Sequence, residues 1–142
     1  MGKNTTFASN LLALIFNASA ITGLAINATS SPLTNLYVSL HTADPTATGS
    51  QSSSEATYTG YARVAVARSS AGWTVTSNSV SPTGTISFPA ATGGTNTITN
   101  FGIGSASSGA GSLFYSGTVS PNISVASGVT PQLTTASTIT ES

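Results

Sequence analysis

The chain has 142 residues, no cysteine, one histidine and six charged side chains (Lys3, Asp44, Glu55, Arg63, Arg68 and Glu141), for a net charge of zero. Three basic residues are too few to track a phosphate backbone, so nucleic acid is not an expected partner. The missing cysteines exclude disulfide frameworks and thiolate metal sites, and no run approaches the ~18–20 apolar residues that span a bilayer.

Soluble domains usually carry roughly a quarter charged residues, whereas here the charged share is 4%. Serine and threonine fill about a third of the positions instead. A net charge near zero favours association over dispersal. The hydrophobic share of 39% is spread along the whole chain, so a packed core is expected rather than disorder.

The first element is a helix over residues 5–18, with Thr5 or Thr6 as its N-cap. Phe7, Leu11, Leu14, Ile15 and Ala18 recur at helical spacing and form one apolar stripe, and Leu12 and Phe16 widen it. The stripe serves either the domain's own core or a partner, and Phe7, Leu11, Leu14 and Ile15 are the candidate partner contacts. Lys3, the apolar run Leu11–Phe16 and Ala18-Ser19-Ala20 imitate a secretory signal. The apolar core is short and bracketed by Asn10 and Asn17, so a retained helix is the expectation.

Residues 22–35 read as a polar connector in which Pro32 ends any helix. The period then changes to two. Leu36, Val38 and Leu40 alternate against Tyr37, Ser39 and His41, as in a half-buried strand. A long loop over 42–57 follows. Short strands are expected at 61–67 (Arg63 facing away from Val64 and Val66), 73–75, 86–88, 98–103, 113–115, 123–125 and 137–140, with Gly- and Pro-rich turns between them. About eight threonine-rich strands with turns every 8 to 15 residues point to a mainly β fold, an antiparallel β-sandwich of jelly-roll type with one N-terminal helix. The expected division is helix and connector over 1–35 and sandwich over 36–142, together one structural domain.

Chemistry-bearing groups are sparse. Ser39, His41 and Asp44 lie close in sequence, but residues two apart on a strand share a face without being expected to orient one another. A structural or loop-capping role for His41 with Asp44 is the better expectation. Three scattered acids suggest neither a metal cage nor a paired-carboxylate site. Gly102-Ile-Gly104 lacks the third glycine of a dinucleotide fingerprint and reads as part of a flexible hairpin loop. No catalytic residue, metal site or cofactor is therefore assigned. Tyr58, Tyr61 and Trp73 form a weak candidate platform for a sugar, because aromatic faces stack on apolar ligand surfaces.

Two stretches carry a resemblance: Leu36-Tyr-Val-Ser-Leu-His-Thr-Ala-Asp-Pro45 and Tyr58-Thr-Gly-Tyr-Ala-Arg-Val-Ala-Val66. With the preceding apolar helix, Gly72-Trp73-Thr74-Val75 and Phe101-Gly-Ile-Gly104, they resemble a family of small virion proteins of tailed bacteriophages. The likeness is strongest to jelly-roll cement (decoration) proteins of the capsid, including that of a Bordetella phage, although relatives are often labelled tail-fibre proteins. The resemblance implies a non-enzymatic structural protein made in the bacterial cytoplasm and carried on the outer surface of the capsid. It also implies two partners, the major capsid protein and a second copy of the chain as a homodimer. The alternative is a tail or tail-fibre component, including a glycan-binding sandwich.

Overall fold

The computed structural model describes residues 3–27 and 31–142. It is mainly β and antiparallel, a β-sandwich with one N-terminal helix, as expected. The elements are α1 (Thr5–Asn17), β1 (Asn35–His41), β2 (Val64–Ala67), β3 (Trp73–Thr76), β4 (Ser79–Pro82), β5 (Ile86–Ser87), β6 (Asn96–Gly104), β7 (Leu113–Val125), β8 (Gln132–Leu133) and β9 (Ile139–Thr140). The expected strands at 113–115 and 123–125 are the two ends of the single strand β7. A register slip lies between them, where Ile98 faces Ile123 but Asn100 faces Thr118. Strands β4 and β8 were not expected. Both are brief, and turn residues beside them hide the alternation.

The chain forms two compact units, each assembled from separated stretches. The first comprises Met1–Asn35, Ala67–Thr85 and Thr134–Ser142. In it α1 packs on β3 and β4, and the sheet runs β3-β4-β9. The helix begins at Asn4, whose side-chain oxygen accepts from the backbone N–H of Thr6 at 2.9 Å. Asn4, not Thr5 or Thr6, is therefore the N-cap, in keeping with asparagine's stronger preference there. Ala18 closes the helix in the left-handed region, with φ 55°.

The buried face of α1 is Ala8, Leu12 and Phe16, a strict i, i+4, i+8 row. Phe16 meets Trp73 edge-to-face with ring centroids 4.8 Å apart, the geometry aromatic quadrupoles favour. The C-terminal carbonyls of a helix have no intrahelical donor. Arg68 supplies one from elsewhere in the chain, with Nε donating to the Ile15 carbonyl and Nη2 to the Leu14 carbonyl, both at 2.6 Å. Its positive charge also suits that end of the helix dipole.

The second unit, Leu36–Val66 and Ile86–Leu133, holds the sheet β2-β1-β6-β7 and the pair β5-β8. Val38 faces Ile103 and Leu40 faces Phe101 across β1 and β6, which gives the sheet one apolar side. The other side is polar yet also covered: Ser39 and His41 are 0% exposed. The central strand is thus buried on both faces instead of one. Alternation alone cannot reveal this, because the cover is a loop.

Candidate functional site

The most connected group of polar side chains lies on that second face, inside the second unit. His41 ends β1, and its Nδ1 is 2.8 Å from the carbonyl oxygen of Ser53. A carbonyl only accepts, so Nδ1 carries the proton and Nε2 accepts from the Ser39 hydroxyl at 2.8 Å. Ser39 and His41 do orient one another, contrary to the sequence expectation. The imidazole holds the loop through Ser53 and not through Asp44, which is exposed and instead accepts from the Thr46 N–H at 2.9 Å.

A hydroxyl bonded to an imidazole has the outline of an activated nucleophile. Here it is walled in. A Cβ placed on Gly102 would stand 2.7 Å from His41 Nε2 and 2.8 Å from Ser39 Oγ. Gly102 is therefore required in β6 so that two polar side chains can pack against its backbone. With both residues at 0% exposure, the pair has no open side for a substrate.

The loop's return stroke places Glu55 opposite His41 as an antiparallel bridge. Glu55 accepts from Arg63 Nε at 2.6 Å and Nη2 at 2.8 Å, a fork-to-carboxylate pairing. It also accepts from the Tyr61 hydroxyl at 2.9 Å. Arg63 reaches further, donating to the carbonyls of Ala106 at 2.8 Å and Gly109 at 2.6 Å. Its side chain is 2% exposed, whereas its strand position suggested an outward-facing residue. Gln51 completes the clamp: its Oε1 accepts from the Ala106 N–H at 2.9 Å and its Nε2 donates to the Tyr37 carbonyl at 3.2 Å. The β6–β7 connection, read as a flexible loop, is held at both of its shoulders.

These surroundings move the ionisation of the cluster. Burial pushes the His41 imidazole below its ordinary value of 6.5, against the opposing pull of the Ser53 carbonyl and of Glu55. Burial raises the Tyr61 hydroxyl strongly, and the hydrogen bonds that Arg63 donates to Glu55 raise Arg63. An unfolded chain therefore takes up a proton at position 41 near pH 6.5 while the folded chain resists it. Stability falls as pH drops from about 6.5 toward the lowered folded-state value, and rises with pH across the same interval. We expect the melting temperature to decline from pH 7 toward pH 5, and His41→Gln to flatten that slope; a scanning calorimetry series across the interval checks it.

The remaining sequence candidates fall in different places. Trp73 (1% exposed) is in the first unit against Phe16, whereas Tyr58 (2% exposed) is in the second. Tyr61 sits edge-on to Tyr58 at 5.4 Å and stacks on Phe88 at 6.5 Å. The rings serve as packing, and Tyr58, Tyr61 and Trp73 do not make the open aromatic platform proposed for a sugar. On α1 the result differs. Phe7 is 39% exposed, and Leu11, Leu14 and Ile15 are only half-buried, because the helix turns Ala8, Leu12 and Phe16 inward. The stripe singled out from the sequence lies outside the buried row, with Phe7 exposed and Leu11, Leu14 and Ile15 partly covered.

Every charged residue has an assigned role: Lys3 pairs with Glu141, Glu55 with Arg63, Arg68 caps α1, and Asp44 closes a turn. Among the described residues, no three His, Asp or Glu side chains gather as a metal site, and no helix is long and apolar enough to cross a membrane.

The family model for Gp80, described as podophage GP4 fiber I protein gp80, matches residues 4–140. The chain belongs to the Gp80 family. This makes it a structural component of a phage virion, consistent with the coarser part of the resemblance. No curated protein matches it. The Gp80 match begins at the N-cap of α1 and runs to the end of β9, so it covers elements of both units.

Proposed function

We propose that this Gp80 protein is a non-enzymatic bracing subunit, bound to the outer surface of the phage head as a cement protein that bridges major capsid subunits. The observation that carries the reading is the outer stripe of α1: Phe7, Leu11, Leu14 and Ile15 stay outside the buried row of their own helix. Polar chemistry points the same way, since the charged groups are spent on holding the chain together. What remains for a partner is apolar contact and hydroxyl-rich surface, in many copies on a lattice, where modest single contacts add up to durable attachment.

The second reading is a fibre subunit at the tail, favoured by the description of the Gp80 family as a fibre protein. Cryo-microscopy of intact particles separates the two. Density on the outside of the head at copy numbers matching the shell supports cement; a few copies at the tail overturn it in favour of the fibre. Because partner contacts carry almost no charge, attachment is expected to survive a 1 M salt wash, which screens ions beyond roughly 3 Å. Leu11→Asp is expected to lower the amount of protein on purified particles about 10-fold, the effect of losing ~1.4 kcal/mol of contact energy. Its circular dichroism should stay that of the parent. Particles that retain the variant at full occupancy rule out the helix as the contact.

A further inference from the structure

The two halves of α1 are held by different means. The second half is fixed twice over. Leu12 and Phe16, both 0% exposed, sit in the core of the first unit. Arg68 binds the Leu14 and Ile15 carbonyls, and its Nη1 also donates to Asn27 Oδ1 at 2.7 Å. The first half is held far more lightly. From Thr5 to Leu11 only Ala8 is buried, and an alanine side chain offers little apolar area. What holds this half is a strap from a distant part of the sequence. Residues 134–142 return to the first unit and bury a single side chain, Ile139. Strand β9 pairs with β4 over two residues, Thr140 with Ser79 and Ile139 with Val80. The Glu141 N–H donates to the Asn78 carbonyl at 2.8 Å, and Asn78 Nδ2 donates to the Glu141 carbonyl at 3.1 Å. The Glu141 carboxylate accepts from Lys3 Nζ, and Lys3 directly precedes the N-cap Asn4. Glu141 thus joins the strap, the β3–β4 turn and the start of the helix.

We infer that α1 is a hinged arm whose latch is the Lys3–Glu141 ion pair: when the latch is released, the first half of the helix lifts while the second half stays on its core. Local opening begins where few apolar contacts are lost, and lifting the first half uncovers only Ala8 among its buried side chains. The latch is suited to release. Its two side chains are 24% and 16% exposed, and an ion pair in contact with water is worth little. The Arg63–Glu55 pair is the contrast, with the Arg63 side chain at 2%. Phe7 rides on the moving half, and Leu14 and Ile15 on the fixed half, so the outer stripe can adjust to a surface at one end only. The hinge belongs to the first unit alone and is independent of what the stripe meets.

Amide exchange of the full chain, followed residue by residue by NMR, tests the hinge. The amides of residues 8–11 and of Glu141 are expected to exchange faster than those of residues 14–17. Glu141→Gln keeps the shape of the side chain and removes its charge. It is expected to speed residues 8–11 and position 141 together by about 3-fold, the scale of a partly exposed ion pair, and to leave residues 14–17 unchanged. Reversing the pair, Lys3→Glu with Glu141→Lys, is expected to restore the parental rates, which a loss of packing at either position would not allow. Trp73 is the single tryptophan and packs on Phe16 in the fixed half, so its emission should stay that of a buried indole in every variant. Uniform exchange along α1 in the parent, unchanged rates in Glu141→Gln, a reversed pair that fails to restore them, or a red-shifted Trp73 emission each overturns the hinge.

Discussion

Arg63→Ala is expected to destabilise the protein by about 3–5 kcal/mol, the range for removing one partner of a buried ion pair. The cost has two sources. Glu55 loses both guanidinium bonds while its carboxylate stays partly buried, with the side chain 18% exposed. The carbonyls of Ala106 and Gly109 also lose their donor, so the β6–β7 connection is freed at one shoulder. Arg63→Lys should recover only part of the loss, because an ammonium is a point charge and cannot span a carboxylate and two carbonyls as a planar fork does. Urea denaturation of the three proteins gives the comparison directly, and hydrogen exchange should place the new opening at residues 105–112. A loss below about 1 kcal/mol for Arg63→Ala would mean that the pair is worth no more than a surface bridge.

Phe16→Ala is expected to cost a similar 3–5 kcal/mol, by cavity formation in the first unit. Phe16 is 0% exposed and packs edge-on to Trp73, itself 1% exposed. Two rigid elements, α1 and β3, line the space, so little collapse is available to refill it. The contrast with Phe7→Ala is the sharper measurement. Phe7 is on the outer side of the same helix at 39% exposure, so its removal should change stability by no more than about 0.5 kcal/mol. A melting series that reverses this order would show that the inner and outer faces of α1 have been misassigned. The same pair of variants also separates folding from the proposed attachment: Phe16→Ala is expected to weaken the protein itself, whereas Phe7→Ala is expected to leave it intact and, on the proposed bracing role, to weaken only its hold on a partner.

The sequence determined a good deal of this architecture, and for physical reasons that can be named. Periodicity is a local property, so the helix at 5–17 and the strands at 35–41, 73–76 and 96–104 were legible within a residue or two. The six charges were enough to make nucleic-acid binding a poor expectation. The outer stripe Phe7, Leu11, Leu14, Ile15 was identified as a row, but which of two apolar rows faced inward was not. A helix with apolar residues on both sides carries no internal signal for that choice; β3 and β4 make it.

The polar cluster was decided by tertiary structure. Gln51, Glu55, Tyr61 and Arg63 belong to a stretch that reads as loop and strand start, and their partners Ala106 and Gly109 are 43 and 46 residues beyond Arg63. Arg68 caps a helix that ends some 50 residues earlier, reaching Leu14 and Ile15. Ser39 and His41 looked like the solvent side of a half-buried strand until the 42–57 loop covered them. Composition set how few charges were available; only the fold decided that nearly all of them would be spent on one another and on backbone carbonyls, because a charge taken out of water must find its partner wherever the chain brings one.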